Sequence, residues 1–181
     1  MKRHMDLRRL LFLAICCDLG LFSKRLIAPL ANIVTDSLHI PGGVSTSFSL
    51  MFLVIAAWLT PGVGCGTLMG ALQSVLALSF GMTGSMGLLS PIGYIIPGIV
   101  IDAVMYVSKK KKLFPQTTMV LANMLASASA SLTANMIVFR LSGIPLLLYL
   151  SVALLSGSVC GLLCSPIVSR LSPLIRFREE I

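Results

Sequence analysis

The sequence predicts an all-α membrane protein, a six-transmembrane-helix bundle with both its N- and C-termini cytoplasmic. Three observations lead there. Of 181 residues, 56% are hydrophobic and 11% charged, against about 45–50% and about 25% in a soluble domain, which is too little polar surface to coat a soluble globule. The apolar residues fall into six runs separated by glycine-, proline- or lysine-rich breaks. The basic residues gather in clusters between those runs. The same composition excludes a disordered chain, a disulfide-stapled secreted domain and a collagen-like repeat. The net charge of +8 is the mark of membrane topology, and no nucleic-acid partner is expected.

The first run, residues 9–27, follows Lys2, Arg3, Arg8 and Arg9. A charged start before an apolar run also fits a signal peptide. The chain beyond it is apolar throughout, which makes this run the first span. A semi-polar stretch from Pro29 to Gly43 is expected as a loop. The second run, 45–59, is closed by Thr60-Pro61-Gly62. The third, 62–80, ends in the glycine-rich turn from Gly81 to Gly87. The fourth, 88–107, contains Pro91 and Pro97, tolerated in membrane helices because neighbours satisfy the freed carbonyls. Lys109 to Lys112 separate it from the fifth run, 115–139, and the sixth spans 145–169 before a charged tail. A crossing needs about 20 apolar residues, so six crossings make residues 1–181 a single integral membrane domain.

An even number of spans puts the N-terminal cluster, the Lys109–Lys112 loop and Arg170, Arg176 and Arg178 on one side. These are eleven of the fourteen basic residues, and the positive-inside rule assigns that side to the cytoplasm. Lys24, Arg25 and Arg140 fall on the outer side.

Small residues recur every four positions on three spans: Gly62, Gly66 and Gly70; Ala122, Ala126, Ala130 and Ala134; Ala153, Gly157, Gly161 and Ser165. Such faces let membrane helices approach closely, either within the chain or against a partner membrane protein. Beside the alanine face runs a polar stripe, Asn123, Ser127, Ser131 and Asn135. It is expected to face the bundle interior, as a hydrogen-bond network or a cavity lining.

The three outer cations either snorkel to headgroups or form a pocket for an anionic or carboxylate-bearing ligand. Asn32, Thr35 and Asp36 on the adjoining segment, and Asn135 at the outer end of span 5, offer further polar contacts. Asp18 and Asp102 lie inside apolar spans, where carboxylates are costly. Asp102, nearer the cytoplasmic end, either snorkels or pairs with the lysine block; Asp18 is either protonated or paired across helices. The five cysteines, all in apolar stretches, read as small packing residues. No H-E-x-x-H, P-loop or G-x-S-x-G is present, so no catalytic residue, metal site or cofactor is expected.

Pro61-Gly62-Val63-Gly64-Cys65-Gly66-Thr67-Leu68-Met69-Gly70 resembles the glycine-rich entry to span 3 of the substrate-binding S components of energy-coupling factor (ECF) transporters. Gly87-Leu88-Leu89-Ser90-Pro91-Ile92-Gly93-Tyr94-Ile95-Ile96-Pro97-Gly98 is similar to the stretch opening their span 4. The resemblance covers nearly the whole chain and includes six spans, cytoplasmic ends and a long outer loop after span 1. It implies a prokaryotic, multi-pass plasma-membrane protein that captures a vitamin or related micronutrient. The ligand would be delivered by docking on a T component driven by two cytoplasmic ATPases. It implies a ligand site in the outer half, at Lys24, Arg25, Asn32, Asp36, Tyr94, Asn135 and Arg140, with Tyr94 stacking on a ring and Gln73 deeper. Many S components dock through A-x-x-x-A on span 1. Here Ala14 is followed four residues later by Asp18, and Cys16 by Gly20; with Gly20 as the substitute small residue, Ala14 and Gly20 join Gly62, Gly66 and Gly70 as docking candidates. A standalone small-solute transporter or channel, an intramembrane enzyme acting on lipid and a structural subunit are the alternatives.

Overall fold

The computed structural model describes residues 7–37, 44–60, 62, 64–82, 84–137, 139–140 and 142–175; of the side chains at 8, 31, 32, 34–37, 84, 85, 174 and 175 nothing is described. The described residues form six α-helices: α1 (Leu7–Ser37), α2 (Val44–Leu59), α3 (Cys65–Ser79), α4 (Ser90–Lys111), α5 (Pro115–Ile137) and α6 (Ile144–Ile175). A 3-10 segment, Gly84–Leu89, leads into α4. By length and composition, three stretches are long and apolar enough to cross a membrane: Met86–Lys111, Pro115–Ile137 and Ile144–Pro173. Helices α2 and α3 are apolar but shorter, and α1 carries Asp18, Lys24 and Arg25 along its middle.

One element differs from expectation. The segment from Pro29 to Ser37, expected in a loop, continues α1. Proline removes a single N–H and frees a single carbonyl, and Leu30 to Ser37 contain no second breaker. The helix therefore carries on past it, and its 31 residues extend over about 46 Å at 1.5 Å per residue.

Helix α2 sits at the centre, packed against all five other helices. Its buried residues, among them Ser47, Leu50, Leu53, Val54 and Ala56, surround its whole circumference, as befits a helix apolar on every side. Around it, α3 pairs with α4 and α5 with α6, and α1 lies on α2 and α3. Gly66 faces Gly98 and Gly70 faces Tyr94; Gly157 faces Met124 and Gly161 faces Val120. In each pair one number rises as the other falls, so these helices run antiparallel. The Lys109–Lys111 turn thus shares one end of the bundle with the start of α3 and the close of α2. The start of α4 and the close of α5 lie at the opposite end.

The small-residue faces serve these close approaches. A Cβ on Gly66 would meet the Gly98 carbonyl oxygen at 2.7 Å, and one on Gly161 would meet the Val120 Cα at 2.6 Å. Ala122, Ala126 and Ala130 are buried in the core. The exterior is the reverse of a soluble protein's: Leu26, Val75, Tyr106, Leu147 and Leu155 are exposed, while Gln73, Asn123, Ser127 and Asn135 are buried. All five cysteines are buried and free, and Cys17 Sγ lies 3.6 Å from the Met69 carbonyl oxygen.

Candidate functional site

At the end of the bundle away from the lysines, the Nζ of Lys24 lies over the Tyr94 ring, 5.2 Å from its centroid. Three packing contacts bring that pair together. Gly70 lets α3 approach the Tyr94 backbone, since a Cβ there would stand 2.5 Å from the Tyr94 carbonyl oxygen. Gln73, buried one turn further along α3, donates through Nε2 to the Cys17 carbonyl at 3.2 Å. Gly20 then lies against Gln73 and Ser49, and the Ser49 hydroxyl donates to the Gly20 carbonyl at 2.8 Å. Lys24 follows Gly20 by one turn on the same face of α1. A cation over an aromatic face is worth about 0.5–2 kcal/mol, the upper end applying to desolvated pairs.

Ser90 stands one turn before Tyr94 on the same face of α4. It is 1% exposed, and its hydroxyl has no hydrogen-bond partner among the described residues. A buried hydroxyl left unpaired costs about 1–3 kcal/mol. A cation, an aromatic ring and an unpaired hydroxyl thus share one end of the bundle.

The polar stripe of α5 faces inward along its length. Asn123 donates through Nδ2 to the Gly157 carbonyl at 2.9 Å and the Ser47 carbonyl at 3.3 Å, tying α5 to α6 and α2. The Ser47 and Ser156 hydroxyls lie 2.8 Å apart. Nearer the Lys24 end, Asn135 donates to the carbonyl and hydroxyl oxygens of Ser131 in its own helix. Asn123 Oδ1 and Ser127 Oγ are buried without partners among the described residues.

Of the expected ligand residues, the structure joins only Lys24 and Tyr94. Arg25 and Arg140 are exposed, and Arg140 adopts a left-handed φ of 47° just beyond α5. No hydrogen bond or ion pair among the described residues ties either to Lys24. The side chains of Asn32 and Asp36 lie outside the described residues. Among the docking candidates, Ala14 and Gly62 are exposed. Gly20, Gly66 and Gly70 are instead buried in contacts within the chain, which leaves them no free surface for a partner.

Sequence reasoning missed what Asp102 does. Its Oδ1 accepts from the Gly66 N–H, and its Oδ2 from the Thr67 N–H and hydroxyl. Its partner is the start of α3, not the lysine block. Ser90 was also missed, because a serine beside a proline reads as a helix start and nothing more. No family model, curated protein sequence or solved structure matches the chain.

Proposed function

We propose that the chain is the substrate-capture subunit of an ECF-type importer in a prokaryotic plasma membrane, spanning it six times with the lysine end in the cytoplasm. It holds a vitamin or related micronutrient at the opposite, outward end and delivers it by docking on a T component driven by two cytoplasmic ATPases. The observation that carries the reading is the Lys24–Tyr94 pair with the buried, unpaired Ser90 hydroxyl one turn away. A flat ring stacks on Tyr94, a carboxylate or other anionic group meets Lys24, and a polar edge pairs with Ser90. The chain supplies specificity and no bond-making chemistry.

The outer face of α1 supports the subunit part of the reading. Leu11, Ile15, Phe22 and Leu26 are exposed along one face, and Asp18 is exposed among them. Cys17 beside it reaches Met69 of α3, so the exposed carboxylate stands level with α3 rather than beyond the end of the bundle. A carboxylate there is costly against lipid, and a hydrogen-bond donor or cation on a neighbouring membrane helix relieves that cost.

The test is native mass spectrometry of the purified chain, followed by binding of a panel of water-soluble vitamins. A retained stoichiometric compound is expected. Replacing Lys24 by Gln lowers its affinity about tenfold or more, the effect of one lost charge-assisted hydrogen bond. An empty protein that binds nothing across the panel overturns the proposal.

A further inference from the structure

At the lysine end, the close of α2, the start of α3 and the second half of α4 enclose an open cavity of about 400 Å³. Trp58, Ile99, Ala103 and Tyr106 supply its apolar and aromatic walls, Asp102 closes one side, and Lys109 stands at its rim. The cavity opens to the outside of the bundle, because Ile99 and Tyr106 are 50% and 66% exposed.

We propose that this groove binds an anionic phospholipid, with an acyl chain along Ile99, Ala103 and Tyr106 and the phosphate on Lys109. Three features support that occupant. Length is the first. From Ile99 to Lys109 the groove follows α4 through ten residues, about 15 Å at 1.5 Å per residue, which is half of an about 30 Å hydrocarbon core. The second is the order of chemistry along it: aliphatic, then small, then aromatic, then cationic. That is the order in which one leaflet changes from chain to headgroup. The third is charge. Lys109, Lys110, Lys111 and Lys112 are consecutive and exposed, whereas both Asp102 oxygens are held by Gly66 and Thr67. The negative wall is therefore offset by the N-terminus of α3, and the rim stays cationic. A zwitterionic lipid fills the apolar part equally well and also brings a phosphate to Lys109, but its headgroup cation is repelled by the four lysines of the rim, so a net-anionic lipid is favoured. This site is distinct from the Lys24–Tyr94 end and does not depend on the capture reading.

Trp58 is the only tryptophan in the chain, so its fluorescence reports this groove alone. The full chain is reconstituted into phosphatidylcholine vesicles containing increasing fractions of acyl-brominated phosphatidylglycerol or, in parallel, acyl-brominated phosphatidylcholine. Brominated phosphatidylglycerol is expected to quench Trp58 saturably, at a half-point about fivefold below that of brominated phosphatidylcholine, the size of about one lysine's attraction to an anionic lipid. Lys109→Gln is expected to remove the difference. Ala103→Leu, which fills the groove and leaves the lysines intact, is expected to remove the saturable quenching. Equal quenching by both lipids at every fraction overturns the proposal in favour of ordinary surrounding lipid. Absence of quenching by either overturns it in favour of a groove closed by a protein helix.

Discussion

The carboxylate of Asp102 accepts two hydrogen bonds from Thr67, at 2.8 Å from its backbone N–H and 2.6 Å from its hydroxyl. A third comes from the Gly66 N–H at 2.8 Å. The first N–H groups of a helix have no partner within it. The residue opening α3, Gly64, has no side chain to cap them. A carboxylate from α4 takes the role that an Asp or Ser at the helix start takes elsewhere, and it meets the positive end of the helix dipole. Asp102 thereby ties the middle of α4 to the start of α3.

Asp102→Ala should therefore unfold the α3 entrance. Two backbone N–H groups and one hydroxyl lose a charged acceptor, and the loss is about 3 kcal/mol. Asp102→Asn keeps one acceptor oxygen and should lose about half of that. Thermal or denaturant unfolding in detergent measures both. Equal stability of Asp102→Ala and the parent chain would contradict the capping role.

The α3–α4 contact should be intolerant of a single methyl. A Cβ on Gly98 falls against the Gly66 carbonyl, and one on Gly66 would lie 2.7 Å from the Gly98 carbonyl oxygen. Both obstacles are backbone, so neither can rotate away. Gly66→Ala and Gly98→Ala should each destabilise by about 1–3 kcal/mol. Gly62→Ala should do much less, because its nearest neighbour is the Cys65 side chain at 3.0 Å on an exposed turn. Similar losses at all three positions would show that glycine flexibility, not close approach, sets the cost.

These contacts show how far the sequence could be read. The glycines of α3 and α6 and the alanines of α5 announce themselves by four-residue spacing, and spacing is a local property of one helix. Which helix they face is not local. Gly66 meets Gly98 and Gly157 meets Met124 only because of how the helices are arranged around α2. The same limit hid the cap on α3. The sequence shows Asp102 as an apolar-span carboxylate near four lysines, whereas its partners lie 36 and 35 residues back, at Gly66 and Thr67. Pro29 misled in the opposite direction. A proline followed by polar residues reads as a loop, but α1 is long enough to carry one missing hydrogen bond. At the Lys24 end, cationic and aromatic residues were legible as types. Their pairing needed Gly20, Gln73 and Gly70 to bring α1, α3 and α4 together.

Lys112 offers a gain in stability. The Leu113 N–H bonds the Ser108 carbonyl at 3.1 Å and the Lys112 N–H the Lys109 carbonyl at 3.4 Å. This is the pattern that closes a helix through a left-handed residue. The left-handed residue is Lys112, at φ 50°, whereas Gly81 fills the equivalent place after α3 at φ 65°. Glycine enters that region without the side-chain strain. Lys112→Gly should raise stability by about 1 kcal/mol, read as a higher unfolding midpoint. A lower midpoint would mean that the lysine's charge at the helix C-terminus outweighs the strain.

Asn123 and Ser127 make a paired test of the buried stripe. They are adjacent turns of one face, and both are almost fully buried. Asn123 reaches across to Ser47 and Gly157, while the Ser127 hydroxyl reaches no partner among the described residues. Interhelical hydrogen bonds of membrane proteins average about 0.6 kcal/mol and reach about 1.7. Asn123→Ala removes two of them and leaves a cavity, so it should cost about 2 kcal/mol. Ser127→Ala removes a hydroxyl that contributes nothing and relieves its desolvation, so it should be neutral or stabilising by up to about 1 kcal/mol. If Ser127→Ala instead destabilises by as much as Asn123→Ala, the hydroxyl has a bound water or ligand for its partner. The stripe would then line an occupied cavity rather than a dry helix interface. Unfolding of the two variants in detergent, with and without added vitamins, separates these outcomes.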